Sequence, residues 1–191
     1  MAEVRKRRKS YNEPGHAHES TFSCYRRLPL FKNDGFKRLF LKSLDRARRK
    51  HGFEVWAFVI MPEHVHILAH PLRQSYSVAE MLRSIKQPVA QIALPEIREN
   101  APVLARSLLA SERGKETYRF WQAGGGYGRN LYSPEAIHTC IDYLHANPAR
   151  RRLCDTPLEW LWSSARWYAG LESVFEVDRC QAVLTQFPGG R

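Results

Sequence analysis

Two histidines one residue apart, His64 and His66, stand in the stretch Met61-Pro62-Glu63-His64-Val65-His66-Ile67-Leu68, at the start of an apolar run. Residues i and i+2 of a β-strand share a face. Both imidazoles would then point the same way, close enough to hold one metal ion. A metal needs further ligands and a reaction needs a nucleophile. The best candidates lie well downstream, in Ile141-Asp142-Tyr143-Leu144-His145-Ala146-Asn147-Pro148. Tyr143 and Asn147 are at i and i+4, one helical turn apart on one face. Each feature also has an ordinary reading. His-x-His in a strand often means partly buried, hydrogen-bonded rings, Tyr143 beside Ile141 and Leu144 suits core packing, and an Asn before Pro148 suits a helix end.

The elements that must position these residues follow from spacing. Ser20-Thr21-Phe22-Ser23-Cys24-Tyr25 reads as a strand, closed by Leu28-Pro29. Asn33 or Asp34 caps a helix to about Arg49, because Phe36, Leu39, Phe40, Leu44 and Ala47 recur at helical spacing. Lys37, Arg38, Lys42 and Arg46 form its basic exposed side, and Gly52 ends it. Glu54 to Met61 and His64 to His70 are β-rich runs separated by Pro62-Glu63, so they form a tight hairpin with Met61 facing His64 and Val59 facing His66. Alternation puts Val55, Ala57 and Val59 on the histidine face and Trp56, Phe58, Ile60, Val65 and Ile67 on the other. The bulkier face should pack on helices, and the smaller side chains beside the histidines leave room for a ligand.

Ser77 to about Ile92 reads as a helix with Pro88 as a kink or break, and residues 100–117 as a short helix or an insertion. Tyr118 to Gln122 reads as a short strand, followed by the loop Gly124-Gly125-Gly126. Ser133 caps a last helix from Pro134 to about Ala146 or Asn147. The order strand, helix, hairpin, helix, short strand predicts an α+β fold: a ferredoxin-like sandwich, an antiparallel sheet with helices on one face and an additional C-terminal helix.

The chain has 191 residues, 43% of them hydrophobic and 12% aromatic, enough for a real core and against wholesale disorder. Thirty Lys and Arg against 19 Asp and Glu give a net charge of +11, which points to nucleic acid as partner. No run suits a transmembrane helix, so no membrane partner is expected. The run Arg5-Lys6-Arg7-Arg8-Lys9 has no apolar segment behind it and is no secretory signal. Residues 1–15 read as a basic, disordered arm, 16–170 as a single domain and 171–191 as a C-terminal tail. The four cysteines carry no paired motif, which fits reduced thiols in a cytoplasm.

Pro62-Glu63-His64-Val65-His66 on a strand, with Tyr143-Leu144-His145-Ala146-Asn147-Pro148 on a late helix, resembles the REP-associated tyrosine transposases, a branch of the single-tyrosine HUH transposases. Arg26-Arg27-Leu28-Pro29-Leu30-Phe31, Phe120-Trp121-Gln122 and Pro157-Leu158-Glu159-Trp160-Leu161-Trp162-Ser163-Ser164 also match, so the resemblance runs from about residue 18 to 170. It implies a metal-dependent endonuclease and strand transferase that cleaves single-stranded DNA at hairpin-containing or palindromic repeats, through a 5′-phosphotyrosine. His64, His66 and Asn147 would be the metal ligands, with Mg2+ or Mn2+ as the divalent cofactor, and Tyr143 on the catalytic helix the nucleophile. Arg150, Arg151, Arg152, Arg26 and Arg27 would contact DNA. A bacterial-type cytoplasm, association with the nucleoid and a monomer or homodimer go with this reading. The sequence departs from the family at Arg152, where a Gly is common. The competing reading is a noncatalytic ferredoxin-like nucleic-acid-binding module, whose stacking aromatics Trp56 and Phe58 would fall opposite the histidines. A zinc hydrolase ranks last, for want of a third His or Cys ligand and a general base.

Overall fold

The chain runs β1 (Ala17–Ser23), α1 (Asp34–His51), β2 (Phe53–Ile60), β3 (His64–Pro71), α2 (Val78–Asn100), α3 (Pro102–Ser107), β4 (Leu109–Glu112), β5 (Lys115–Tyr118), β6 (Tyr127–Leu131), α4 (Pro134–Arg150) and α5 (Ala165–Tyr168). The computed structural model describes residues 12–112, 114–124 and 126–180. The basic run Arg5 to Lys9 and the end of the expected tail lie outside them. Four antiparallel strands in the order β2-β3-β1-β6 make the central sheet, and β4 pairs with β5 in a separate hairpin. This is the α+β, ferredoxin-like order that the spacing predicts. No helix among the described residues is long and apolar enough to cross a membrane.

Sequence chemistry accounts for the helix ends. The Asn33 side chain accepts from Gly35 N at 2.7 Å, and Gly52 closes α1 in the left-handed region at φ 67°. Ser133 Oγ accepts from Ala136 N at 3.2 Å, with Pro134 at the first helical position. Two helices run further than their prolines suggest. In α2, Met81, Ile85, Val89, Ala93 and Ile97 are buried at four-residue intervals, so an unbroken apolar stripe outweighs Pro88 and Pro95. Helix α4 continues past Pro148 to Arg150, because a proline near the end of a helix removes only one of its hydrogen bonds. Arg152 follows at φ 57°, so the arginine found where the family often has glycine adopts the left-handed backbone that glycine favours.

The sheet has a core on each face. On one, Phe22, Phe58, Ile60, Val65 and Ile67 pack with Phe36, Phe40 and Leu44 of α1 and Met81, Ile85 and Val89 of α2. On the other, Ala57, Val59, Met61, Leu68 and Leu131 pack with Ile137, Cys140, Ile141 and Leu144 of α4. Val59 pairs with His66 as the two-residue turn requires, and Met61 N donates to His64 O at 2.8 Å. Upstream the expected faces are exchanged. A bulge between Val55 and Ala57 inserts Trp56, which puts Val55 in the α1–α2 core and Trp56 on the histidine face, stacked on His70 at 4.5 Å.

Other expectations are corrected by tertiary contacts. The fourth strand is 127–131 rather than 118–122; Trp121 contributes only an isolated bridge to Cys24. The segment Tyr-Gly-Arg-Asn-Leu has weak strand character of its own and gains it by pairing with β1. Lys37, expected in solvent, is 6% exposed: its ammonium meets Asp34 at 2.8 Å and lies over the rings of Trp160 and Trp162. The described residues within 100–112 and 114–117 hold α3, β4 and most of β5. The C-terminal segment covers the outer edge of β2, with Ile60 N donating to Trp162 O, Ser164 N to Phe58 O and Asp178 N to Val55 O. Residues 171–180, assigned from the sequence to the tail, thus lie against the domain.

Candidate active site

His64 and His66 open β3, both 6% exposed, and alternation turns both rings to the α4 side of the sheet. Their Nε2 atoms lie 2.9 Å apart. Two nitrogens bound cis to one octahedral ion at about 2.1 Å would be separated by roughly 3 Å, whereas a tetrahedral site would hold them roughly 3.4 Å apart. The other ring nitrogens are engaged from behind. His64 Nδ1 meets Glu63 Oε1 at 3.0 Å, and His66 Nδ1 meets Thr21 Oγ1 at 2.7 Å. A cation between the two Nε2 atoms would require the tautomer with Nδ1–H donated to Glu63 and Thr21 in place of the Nε2–Nε2 hydrogen bond.

Electrostatics favour neutral rings. Burial lowers the His64 pKa against the opposing pull of Glu63. Burial, reinforced by His64, pushes His66 down to about 3. Both rings are therefore neutral at physiological pH. Burial pushes the Glu63 carboxyl up, but the hydrogen bond and charge of Arg151, with His64 adding to them in acid, outweigh it and hold it below the usual range.

Helix α4 brings the second half of the site. Tyr143 is 39% exposed, and its ring stands nearly perpendicular to that of His66, with centroids 6.0 Å apart. Asn147, one turn on, is 7% exposed; its Nδ2 donates to Tyr143 O at 3.3 Å, which leaves the amide oxygen as the atom suited to a cation. The candidate donors named by the sequence are thus two imidazoles on β3 and an amide on α4. Among the described residues no cluster of three His, Cys, Asp or Glu side chains could hold a metal. Two converging imidazole nitrogens are a donor pair suited to a divalent ion with open positions.

The five expected DNA-binding arginines divide. Arg27 and Arg151 both bond to Glu63 Oε1 beside His64. The Arg150 guanidinium lies over the Tyr143 ring at 5.3 Å. Arg26 turns away, over the Tyr25 ring at 5.1 Å and toward Ser107 O at 3.4 Å. Arg152 is exposed at the end of α4. Thr21 is the site residue that sequence reading missed. It opposes His66 across the β1–β3 pairing, and no local pattern announces a register between strands so far apart in the chain.

The family described as transposase IS200 like matches residues 16–125, over half the chain; the match includes the histidine hairpin and stops before α4. A solved structure of a REP-associated tyrosine transposase bound to a REP hairpin is 17% identical, with a TM-score of 0.65, over 100% of this chain and 98% of that one. At that identity the likeness is one of fold. A proposed transposase from Deinococcus radiodurans R1 is also 17% identical, with a TM-score of 0.42, over 73% of this chain and 96% of that one. No curated protein sequence matches. By its matched segment, the chain belongs to the IS200-like transposase family.

Proposed function

We propose that the protein is a metal-dependent single-stranded DNA endonuclease and strand transferase with Tyr143 as nucleophile. The observation that carries this reading is the edge-on contact of the Tyr143 ring with His66, one of the two rings whose Nε2 atoms converge. His64, His66 and the Asn147 amide would hold a divalent ion, Mg2+ or Mn2+, which when bound polarises the scissile phosphate. A phenol is a weak nucleophile near neutral pH, so the chain's own part is to aim it. Helix α4 holds the ring against His66 of β3, and Arg150 covers its face. Attack forms the bond from the Tyr143 oxygen to phosphorus and breaks the bond from phosphorus to the 3′ oxygen. The phenolic proton is given up, and the departing 3′ oxygen gains one. The products are a 5′-phosphotyrosine and a free 3′-hydroxyl, and attack by a 3′-hydroxyl reverses the step and joins strands.

Hairpin-containing repeat DNA is the proposed substrate. Support comes from the shared fold of a transposase solved on a REP hairpin and from the net charge of +11. Such a partner would place the protein with nucleoid DNA in a bacterial-type cytoplasm, as a monomer or homodimer. A noncatalytic binding module on the same fold is disfavoured by the covered sheet: Trp56 is 7% exposed under α4 and Phe58 is fully buried. The test is incubation with Mn2+ and single-stranded hairpin oligonucleotides, reading a covalent protein–DNA adduct. The adduct is expected to vanish in Tyr143→Phe and to fall at least about 100-fold in His64→Ala and His66→Ala. An adduct that survives Tyr143→Phe would show the assignment to be wrong.

A further inference from the structure

Glu63 lies at the centre of a charge cluster for which the chemistry above gives no role. Its carboxylate is nearly buried, at 7% exposure. One oxygen, Oε1, takes His64 Nδ1 at 3.0 Å, Arg27 Nη2 at 3.2 Å and Arg151 Nη1. The two arginines come from distant parts of the chain: Arg27 from the turn after β1 and Arg151 from the end of α4. Their side chains are 66% and 43% exposed. Two guanidinium charges face one carboxylate, so the rim beside His64 keeps a positive excess. Each guanidinium has five N–H groups in a planar fork, and its bond to Glu63 uses one.

Backbone strain gathers on the same two segments. Among the described residues the non-glycine positions with positive φ are Arg26 at 53°, Arg27 at 54° and Arg152 at 57°. A left-handed conformation costs an L-residue about 1 kcal/mol or more, and such strain persists where the surrounding structure imposes it, often at functional sites. All three are arginines, and each is Arg27 itself or the direct neighbour of Arg27 or Arg151. The other expected DNA contacts are engaged elsewhere or set apart, since Arg26 lies against Tyr25 and Ser107 and Arg150 against Tyr143.

From this geometry we propose that Arg27 and Arg151, held in place by Glu63, form a phosphate clamp for the DNA phosphodiester that enters beside His64. The clamp rests on the DNA-cleaving reading of the site and specifies which arginines grip the backbone there. A phosphodiester offers one negative charge and two nonbridging oxygens, which planar forks bind pairwise, as an ammonium does not. The carboxylate between the arginines keeps two like charges on one rim and sets their direction before DNA arrives. Glu63 is therefore a positioning residue. It orients both arginines and, through His64 Nδ1, one ligand ring.

The test uses binding alone, in Tyr143→Phe protein with EDTA and a single-stranded hairpin oligonucleotide. Affinity is measured across a salt series, then with a neutral methylphosphonate replacing each phosphate in turn. Arg27→Ala and Arg151→Ala should each reduce the slope of log K against log salt by about 0.7, while Arg46→Ala, on the exposed side of α1, leaves it unchanged. At one position the methylphosphonate should weaken binding about 10-fold in the parent and much less in Arg151→Ala. Glu63→Gln should keep the salt slope yet shrink the penalty at that position, which general loosening of the fold would not do. Arg151→Lys covers the case in which Arg151→Ala fails to fold: charge, and so slope, are kept while the penalty shrinks. Unchanged slopes, or a penalty undiminished in the arginine variants, overturn the clamp, and an undiminished penalty in Glu63→Gln removes Glu63 from it. A wild-type protein that forms no adduct sinks the cleavage reading instead, because these measurements need no cleavage.

Discussion

At the scale of single residues, the site depends on which proton each imidazole carries. His66 is kept neutral chiefly by burial, and Thr21 Oγ1 lies 2.7 Å from its Nδ1, placed to accept an Nδ1–H in the tautomer that leaves Nε2 as a lone pair. Thr21→Val keeps the shape and removes that acceptor. It should weaken Mn2+ binding about 10- to 100-fold, read by titration of the DNA-free protein, with a thermal melt showing that the fold survives. A second titration concerns stability rather than catalysis. His18 is 2% exposed and donates through Nε2 to the Tyr76 hydroxyl, which itself donates to Glu13 O. Burial, helped by His16 and His70, holds its pKa down at about 4. In the unfolded chain it would take a proton near 6.5, so its contribution is complete above that pH and is lost as pH falls toward 4. The loss amounts to about 2 kcal/mol by pH 5. Burial also holds His145 at about 4, acting in the same sense. Urea melts at pH 7.5 and 5 should show a smaller acid-side loss in His18→Gln than in the wild type.

At the scale of elements, the histidine face depends on an edge strand with little intrinsic preference for being one. β6 pairs with β1 from Ala17↔Leu131 to Thr21↔Tyr127, so it backs the strand that carries Thr21. The chain reaches this register through Gly126, at φ 77°, where an added Cβ would sit 2.1 Å from Thr21 O. Only glycine permits both the backbone conformation and the close approach. Gly126→Ala should therefore destabilise the protein by about 2 kcal/mol. Amide exchange should quicken first along the β1–β6 pairing, and Mn2+ affinity should fall with it. Uniform exchange across the sheet would contradict this local account.

For the whole molecule, the decisive fact is that α4 packs on the sheet of its own chain. Ile137, Cys140, Ile141 and Leu144 share a core with Ala57, Val59, Met61 and Leu68, and Arg151 ties the end of the helix to Glu63. Tyr143 and the two histidines thus meet within one polypeptide, and the proposed site would be complete in a single chain. Mixing Tyr143→Phe with His64→Ala protein should give no more adduct than either alone, at any concentration. Restored activity in the mixture would show that sites assemble between chains.

Local pattern sufficed for α1, for the start of α4 and for the hairpin register that sets Val59 opposite His66, because capping and alternation act over a few residues. It also marked His64, His66, Tyr143 and Asn147 as residues to watch. Sequence alone could not choose between a metal centre and core packing, since each residue fits both descriptions. What the fold adds is a meeting of Tyr143 and His66, with the Tyr143 ring 6.0 Å from that of His66 across a long separation in the chain. The bulge at Trp56, the late strand β6, Thr21 behind His66 and the burial of Lys37 were likewise decided by partners distant in sequence. Side-chain types and short spacings are written along the chain. Register, burial and the meeting of charges at Glu63 arise only when the sheet pairs and the helices cover it.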